Sequence, residues 1–343
     1  MKNIDLTVVI PVYNAALLLD RCLDSIFSQN GNYSIQVVLV DDGSSDNSVD
    51  IIKKRKEQDR ILLLQQENAG PASARNKGMK MAKGRYTAFL DADDFWMPGF
   101  IEHTVLFLDA HRDCIAVSVG QKHCLGENKE LIRPSFLNPT LSADSLMGDY
   151  ASKNDKGWVL NDFYDFWSRF DHVCTGSLVA RTDVLQLTGG QREDMRICED
   201  TEFWLLLATY GRIGFIPQIL FVSDGGAIVA HYGWAKYVKR FQNIPSFKVW
   251  FNRLSGRMNE NQINAIKGNL NNVVCGISRA KICGGDINGA FCNLYSLMES
   301  EQTPLIVRIY RLGKFPFYCF SYLYRWYQYM KINKNVLWKK IFK

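Results

Sequence analysis

Apolar and polar positions alternate between two periods along the first part of the chain. Four continuous apolar runs predict strands buried on both faces: Leu6–Val12, Ile35–Val40, Ile61–Leu64 and Tyr86–Leu90. Between the first two runs, Leu17–Phe27 carries its apolar residues in a stripe of helical period. Strands that alternate with helices at this spacing predict an α/β fold, with a mostly parallel sheet flanked by helices.

Beyond these strands the periodicity is weaker but still predicts further elements. Helices are expected at Ile101–Leu108, Asp183–Leu187 and Glu199–Tyr210, and strands at Ile115–Val119, Cys174–Ala180 and Gly214–Val222. The segment Gly126–Ser152 is expected to be loop or irregular structure. Amphipathic helices are then predicted at Trp234–Leu254, Asn261–Cys283 and Asp286–Glu299. We therefore divide the chain into an α/β domain (1–224), a helical region (225–302) and a tail (303–343).

The charge of the chain is distributed unevenly. The 343 residues include 41 Lys and Arg against 35 Asp and Glu. The tail alone holds nine basic residues and no acidic one, so the rest of the chain is slightly acidic. This distribution argues against a nucleic-acid-binding core and predicts a basic tail with a partner of its own.

Cysteine usage and hydropathy indicate the compartment. The nine cysteines form no C-x-x-C pair, so a zinc site is not expected, and their odd, unpatterned count is typical of buried thiols in a reducing environment. The amino terminus lacks a signal-peptide pattern, and no apolar run reaches the roughly 18 residues that a membrane-spanning helix needs. The sequence therefore predicts a cytoplasmic protein.

Polar and acidic residues follow each of the four predicted strands. They are Tyr13 and Asn14, then Asp41 and Asp42, then Glu67 and Asn68, and finally Asp91, Asp93 and Asp94. Ligands of parallel α/β sheets bind beyond the carboxyl ends of the strands. We therefore expect these side chains to gather at one edge of the sheet and to form a binding site there.

The acidic residues after the fourth strand have two interpretations. Three carboxylates within four residues repel one another unless a cation lies among them, and a hard divalent ion such as Mn²⁺ or Mg²⁺ that also binds diphosphate oxygens meets that need. A solvated acidic turn or a helix cap explains the same residues without a metal. Asp41 and Asp42 are open to the same second explanation.

Glu199 and Asp200 begin a helix that is otherwise apolar. Acidic residues in a first turn complement the helix dipole, which accounts for them structurally. Alternatively, Asp200 is a general base that takes a proton from an attacking hydroxyl. The motif alone does not decide between the two.

Five segments, in this order and at roughly this spacing, resemble the family 2 glycosyltransferases over about residues 3–222. They are TVVIPVYNA (7–15), VLVDDGSSDNS (38–48), ENAGPASARNKGMKMAKG (67–84), YTAFLDADD (86–94) and CEDTEFWLLL (198–207). The four amino-terminal segments together are specific, although each alone is weak. The resemblance implies a GT-A fold, a nucleoside-diphosphate sugar donor and inverting chemistry.

The resemblance also implies a role for individual residues. Positions that contact the nucleoside base are matched by Pro11, Tyr13, Asp41 and Asp42, and positions near the ribose and diphosphate by Asn68, Arg75 and Asn76. Asp91 and Asp93 match the metal-binding pair, with Asp93 the more direct ligand, and Asp200 matches the catalytic base. His231 is a candidate third metal ligand, although a structural histidine explains it equally well.

Missing features narrow the expected activity. The Gln-x-x-Arg-Trp motif and the membrane helices of processive polymerases are absent, so we expect a non-processive enzyme. The resemblance, with Asp42 at its position, implies a hexosyl- or N-acetylhexosaminyltransferase with a UDP-sugar donor. The expected acceptor is a glycan or a lipid-linked sugar of cell-surface polysaccharide or lipopolysaccharide synthesis. Two alternatives stay open. One is a non-catalytic protein that binds nucleotide sugars or assembles at a membrane surface, and the other is a sugar-phosphate nucleotidyltransferase, which the lack of a glycine-rich loop after the first strand disfavours.

The segment 305–343 combines the basic residues with many aromatic ones. A helix packed on the catalytic domain, with its basic side chains in solvent, is one explanation. The other is peripheral attachment, because Tyr and Trp favour the lipid headgroup level while Lys and Arg favour anionic lipid. In that case the protein lies on the inner face of the cytoplasmic membrane.

Overall fold

The structure, a computed structural model, describes residues 4–124, 130–137, 151–154, 156–224, 234–298 and 304–341. His231 lies outside the described residues. The chain divides into two compact units: Met1–Glu193 with Phe203–Val229, and Asp194–Glu202 with Ala230–Lys343. The boundaries that the sequence places after residues 224 and 302 stay predictions.

The first unit is built around a single sheet. Its strands, within the described residues, are β1 (Leu6–Val12), β2 (Ile35–Asp41), β3 (Ile61–Gln65), β4 (Tyr86–Phe89), β5 (Phe95–Trp96), β6 (Cys114–Cys124), β7 (Glu130–Arg133), β8 (Ala151–Asn154), β9 (Gly157–Leu160), β10 (Leu178–Arg181) and β11 (Arg212–Ser223). The helices between them are α1 (Leu19–Phe27), α2 (Ser48–Lys54), α3 (Pro71–Lys80), α4 (Phe100–Ala110), α5 (Phe163–Phe170) and α6 (Thr182–Leu187). Helix α7 (Glu199–Leu207) begins in the second unit and ends in the first.

The strand order is β3-β2-β1-β4-β10-β6-β11-β9-β8, with β5 paired to β11 and β7 to β6. Strands β3, β2, β1 and β4 are parallel, as the alternation of strands and helices predicts. Strand β10 runs antiparallel to both β4 and β6, whereas β11 is parallel to β6. The carboxyl end of β11 therefore lies at the same edge of the sheet as the carboxyl ends of β1, β2 and β4.

The apolar runs form strands because both faces of the sheet are covered. Val8, Val9 and Ile10 are fully buried in β1. Helix α3 begins at Pro71, whose missing N–H suits a first helical position. It approaches β1 closely because Gly78 has no side chain: a Cβ there would lie 2.3 Å from Val9 Cγ1. The carboxyl edge of the sheet is thus held between tightly packed layers.

The second unit is helical. Besides the start of α7, it contains α8 (Trp234–Arg240), α9 (Phe247–Phe251), α10 (Glu260–Ala265), α11 (Lys267–Gly284), α12 (Ile287–Asn293), α13 (Leu305–Arg311) and α14 (Lys314–Ile341). Its core is lined by Trp250, Val274, Ile277, Leu294 and Phe317. The predicted class, a sheet flanked by helices and followed by a helical region, is confirmed.

Several of the predicted elements differ from the structure. The strand predicted over Cys174–Ala180 begins only at Leu178, because Thr175–Ser177 form a 3-10 turn. The helix predicted over Trp234–Leu254 is broken before α9, where Asn243 is left-handed (φ 59°) and Pro245 cannot donate a helical hydrogen bond. The helix predicted over Asn261–Cys283 is interrupted at Ile266. Within the segment Gly126–Ser152, the short run Glu130–Arg133 forms β7, which pairs with the end of β6 and is too short to show a period in sequence.

Candidate functional site

The loop after β2 is held by the Asp42 carboxylate. Oδ1 accepts hydrogen bonds from Gln66 Nε2 and Ala69 N, both at 2.8 Å, and Oδ2 accepts one from Gly70 N at 2.8 Å. Asn68 Nδ2 donates to the Asp42 carbonyl oxygen at 3.0 Å. Asp42 is only 3% exposed. Its carboxylate therefore fixes the loop between β3 and α3. The sequence predicted only a contact of Asp42 with the nucleoside base and not this structural role.

The turn after β1 is joined to the same region. Asn14, left-handed at φ 50°, accepts a hydrogen bond from Ser45 N through Oδ1 at 2.8 Å, and its own N–H donates to Ser44 Oγ at 3.0 Å. Asp41 is buried and accepts from Ser44 N at 3.3 Å. Tyr13 lies in this turn and Pro11 near the end of β1, and both are half-buried. The four residues expected at the nucleoside base are thus brought to adjoining strand ends.

The loop after β4 contains carboxylates with few donors. Burial, followed by the charge of Asp91, raises the pKa of Asp93 to about 6. The same two causes raise the pKa of Asp94, which is 7% exposed and accepts a hydrogen bond from Asp224 N at 3.0 Å. The loop therefore holds carboxyl groups that disfavour being charged together, as expected of a site for a cation.

Arg21 and Asp224 complete this acidic loop. Arg21, from α1, donates to the Asp93 carbonyl oxygen through Nη2 at 2.6 Å and to Asp224 Oδ2 through Nη1 at 2.6 Å. Its guanidinium also lies over the Phe95 ring, 4.8 Å from the centroid. Asp224 follows β11 directly, so a second strand end contributes a carboxylate. Arg21 thereby fixes the loop through the Asp93 backbone and not through the Asp93 carboxylate.

Arg75 and Asn76, in α3, connect the acidic loop to a distant segment. Arg75 Nη2 donates to Asp91 Oδ1 at 2.6 Å, and Nη1 donates to Gln191 Oε1 at 3.1 Å. Asn76 bridges the Gln191 backbone in both directions: Oδ1 accepts from Gln191 N at 2.7 Å and Nδ2 donates to Gln191 O at 2.8 Å. Asn76 Nδ2 also donates to Glu193 Oε1 at 2.9 Å. The pair expected near the ribose and diphosphate is therefore held rigidly and is almost fully buried.

Two glycines allow that segment to approach α3. Gly189 and Gly190 are both left-handed, at φ 76° and 89°. A Cβ on Gly190 would lie 2.4 Å from Asn76 Oδ1, whereas a Cβ on Gly189 would meet nothing within 4 Å. The close approach of backbone and amide therefore depends on Gly190.

Asp200 lies in the second unit, at the start of α7. Its Oδ1 accepts a hydrogen bond from Thr201 N at 2.7 Å, and Oδ2 accepts none from the described part of the chain. The helix start is anchored at Cys198, which is left-handed (φ 59°) and whose carbonyl oxygen accepts from Trp250 Nε1 at 2.9 Å. One turn on, Arg253 contacts Glu202 at 3.4 Å. Asp200 is thus a half-buried carboxylate on a well-anchored helix end.

Comparison with known proteins decides the family. The profile of glycosyl transferase family 2 matches residues 7–184, more than half of the chain. The chain belongs to glycosyl transferase family 2. Every site residue of the first unit named in the sequence, from Pro11 to Asp93, falls within the matched range, whereas Asp200 and His231 lie beyond it.

The relatives support the same family and fold. Minor teichoic acid biosynthesis protein GgaB of Bacillus subtilis is 39% identical over 123 residues, which are 34% of this chain and 14% of GgaB. The matched segments span between 14% and 43% of the first four curated relatives. Among solved structures, S. aureus TarS 1–349 in complex with UDP is similar, with a TM-score of 0.62, 16% identity, and coverage of 96% of this chain and 90% of TarS.

A second structural relative carries a metal. The mannosyltransferase PcManGT of Pyrobaculum calidifontis, solved with GDP-Man and Mn²⁺, has a TM-score of 0.54 and 20% identity, and the match covers 99% of this chain and 89% of PcManGT. At these identities the two structures establish the GT-A fold and nothing finer. The GT-A fold expected from sequence is confirmed.

The residues present are compatible with the divalent metal that the family implies. In the described residues, no group of three or more His, Cys, Asp or Glu side chains is arranged to hold an ion unaided. Mg²⁺ in proteins is commonly held by one or two carboxylates together with substrate phosphates and water. Asp93, held by its backbone beside Asp91, meets that requirement. The predicted third ligand, His231, is outside the described residues.

Three polar residues of the site were not found from the sequence. Gln191 and Arg21 gave no signal, because each acts through partners that are far away along the chain. Asp224 did have one: it lies two positions after the predicted strand Gly214–Val222, much as Asp91 follows the predicted strand Tyr86–Leu90. Applying the strand-end rule to the second half of the sheet would have identified it.

Proposed function

We propose that this chain transfers a sugar from a nucleoside-diphosphate sugar, most simply a UDP-sugar, to a hydroxyl group, with inversion at the anomeric carbon. The observation that carries the proposal is the edge formed by Asp91, Asp93 and Arg75. There a guanidinium and crowded carboxylates meet beside the nucleoside positions of β1 and β2. Such an edge suits a diphosphate with a bound cation better than it suits a neutral ligand.

The donor would be held by residues at four strand ends. Pro11, Tyr13 and Asp41 are placed to line the nucleoside, while Asp42 shapes the loop that carries Asn68. Arg75 pairs with Asp91 Oδ1, whereas burial and the charge of Asp91 raise the pKa of Asp93, so a cation bound at Asp93 would relieve that repulsion. When bound, a Mn²⁺ or Mg²⁺ ion held by Asp93, with Asp91 beside it, supplies positive charge to the departing diphosphate.

Asp200 is the general base of the proposed reaction. Its Oδ2 takes the proton of the acceptor hydroxyl as that oxygen forms a bond to the anomeric carbon. The bond between the anomeric carbon and the diphosphate oxygen breaks in the same displacement, and the diphosphate leaves with the electron pair. A single displacement inverts the anomeric centre, and no second carboxylate is needed as a nucleophile.

The identity of donor and acceptor rests on the relatives. TarS was solved with UDP and PcManGT with GDP-Man, so the fold accommodates more than one nucleotide. GgaB is named for teichoic acid biosynthesis, which supports a cell-surface glycan or lipid-linked acceptor. We propose such an acceptor here, reached from the inner face of the cytoplasmic membrane.

A donor experiment tests the proposal. Thermal shifts of the full chain are measured with UDP, GDP and dTDP, each with and without Mn²⁺, because a ligand that binds the native state stabilises it. We expect UDP with Mn²⁺ to raise the melting temperature most. A larger shift with GDP replaces the UDP assignment and leaves the transferase proposal intact.

A second experiment separates catalysis from binding. Asp200→Asn is compared with its neighbour Glu199→Gln in donor turnover, with proton NMR of the product of the wild type. We expect Asp200→Asn to bind UDP normally and to lose turnover by about 10³-fold, Glu199→Gln to lose little, and the product to have inverted configuration. A retained configuration rules out the single displacement. Nucleotide binding without turnover of any donor favours the non-catalytic alternative.

A further inference from the structure

Over residues 314–331, whose side chains the structure describes, helix α14 packs on the second unit through one face. Phe317 and Ser321 are fully buried, and the Phe317 ring lies 5.2 Å from that of Phe291 in α12. Tyr318 Oη donates to Asn288 Oδ1 at 3.3 Å on the same side. The helix is therefore positioned by its packing, and its opposite face is turned away from that contact.

The opposite face is apolar and aromatic. We name it the outer stripe, and its residues recur three or four positions apart along one side of the helix: Phe315, Cys319, Tyr322, Leu323, Trp326 and Met330. The exposed fractions are 80% for Phe315, 67% for Leu323 and 62% for Trp326. Isolated apolar residues are ordinary at a surface, but a continuous stripe of this kind marks an interaction site.

The surroundings of the outer stripe are positively charged. Arg311, Lys314 and Lys331 are exposed along α13 and α14. The segment 303–343 contains nine basic residues and no acidic one. Its partner must therefore offer both an apolar interior and negative charge.

These properties select among possible partners. A second copy could match the spacing of the stripe, but it would bring nine basic residues against nine others with no acidic residue to pair them. Single-stranded nucleic acid would use the aromatic rings and the charges, yet it leaves Leu323 and Met330 in water. None of the described helices combines the length and the apolar character that crossing a bilayer requires.

We propose that the outer stripe of α14 inserts into the headgroup region of a bilayer containing anionic phospholipid. Trp and Tyr rings favour that depth, Leu and Met enter the acyl boundary, and the basic side chains contact lipid phosphates. Membrane binding by the outer stripe does not depend on the transfer chemistry. Its purpose, to bring the protein to a lipid-linked acceptor, rests on the proposed function.

The test is co-sedimentation of the full chain with vesicles. One vesicle is phosphatidylcholine alone and the other contains equal parts of phosphatidylcholine and phosphatidylglycerol. The stripe variant Leu323→Ser/Trp326→Ser is matched by Leu187→Ser, which changes a leucine that is 70% exposed in the first unit. We expect binding to the anionic vesicle only, weakened by high salt, at least about tenfold weaker in the stripe variant and unchanged in Leu187→Ser.

Further measurements keep the two proposals separate. The thermal shift with UDP and Mn²⁺ is recorded for the wild type and the stripe variant. An equal shift in both proteins, with vesicle binding lost in the variant, supports the membrane proposal. Absence of the thermal shift in both proteins would count against the donor proposal alone. The charge variant Arg311→Glu/Lys314→Glu should also lose anionic binding. Equal sedimentation of wild type and stripe variant overturns the proposal. So does a dimer, or an oligonucleotide complex, that the stripe variant abolishes while vesicles bind neither protein.

Discussion

Two acidic loops flank β1 at the same edge of the sheet, and they are built in opposite ways. In the loop after β2, the Asp42 carboxylate accepts three hydrogen bonds from the neighbouring loop. In the loop after β4, burial and mutual repulsion raise the pKa values of Asp93 and Asp94. The comparison teaches that the Asp42 carboxylate, with its three donors, serves structure, whereas the Asp93 carboxylate, whose charge burial and Asp91 disfavour, is the one that we propose for a cation.

The largest effect is expected in the loop after β4. Asp93→Asn keeps the shape of the side chain and removes the charge that would hold a divalent ion. We expect turnover to fall by about 10³-fold, or about 4 kcal/mol in the activation barrier, with the urea-unfolding midpoint unchanged or raised because one repulsive charge is gone. Asp59→Asn, on an exposed helical turn, is the control. Full activity of Asp93→Asn, or in excess chelator, would contradict the metal proposal.

The loop after β2 should respond in the other way. Asp42→Asn replaces an acceptor oxygen by an N–H₂ group that faces backbone donors at Ala69 and Gly70. We expect a loss of about 2–4 kcal/mol in the free energy of unfolding, measured by urea denaturation, because hydrogen bonds to a buried charge are lost and a donor is left facing donors. Asp50→Asn, exposed on α2, should cost little. If stability is unchanged in Asp42→Asn, the assigned structural role of Asp42 is wrong.

His172 is a further buried polar group that can be compared with the two acidic loops. His172 is fully buried among Phe163, Phe166 and Phe215, and within the described residues neither ring nitrogen has a hydrogen-bond partner. Burial lowers its pKa from 6.5 to about 3. Below pH 6.5 the unfolded chain therefore binds a proton that the folded chain does not. The free energy of unfolding thus decreases as the pH is lowered, by about 2 kcal/mol from pH 7 to pH 5.

Urea denaturation of wild type and His172→Phe at the two pH values measures this contribution. The variant should lose that part of the pH dependence and be at least as stable at pH 7. An identical pH dependence in both proteins would show that the histidine is protonated or partnered in the folded state.

The smallest effect concerns the contact between Arg75 of α3 and Gln191. Gln191→Leu removes one acceptor of Arg75 while the ion pair of Arg75 with Asp91 stays. We expect the donor KM to rise about tenfold, or about 1.4 kcal/mol, with kcat little changed. Gln191→Glu, which keeps an acceptor oxygen, should restore the KM. A fall in kcat alone would place Gln191 in the reaction step instead.

Local patterns account for what the sequence could predict. The strands predicted at Ile35–Val40 and Tyr86–Leu90 are largely apolar runs, and Asp42 and Asp93 follow them within three positions, so the strand-end rule predicted that both lie at one edge. The bridge from Asn76 to Gln191 spans 115 positions and depends on how β10 enters the sheet. No local period reports such a contact.

The helical unit was predicted less well for a related reason. Amphipathic spacing continues across Asn243 and Pro245 and predicts a helix there, although Pro245 is a helix-breaking signal in the sequence; only the left-handed backbone of Asn243 had to await the structure. In α14 the apolar and aromatic residues cover too much of the helix for sequence to say which face is buried. Packing of Phe317 against Phe291 decides it.

The adjoining glycines after α6 have a consequence for mutational tolerance. Both need a left-handed backbone, but only Gly190 must also lack a side chain, because Asn76 Oδ1 occupies that space. In a saturation library, position 189 should therefore accept Asn and Asp, the residues that adopt this conformation most readily, whereas position 190 should accept glycine alone. Replacing Asn76 by Ala should release that restriction, so the two positions, remote in sequence, form one unit of evolutionary change.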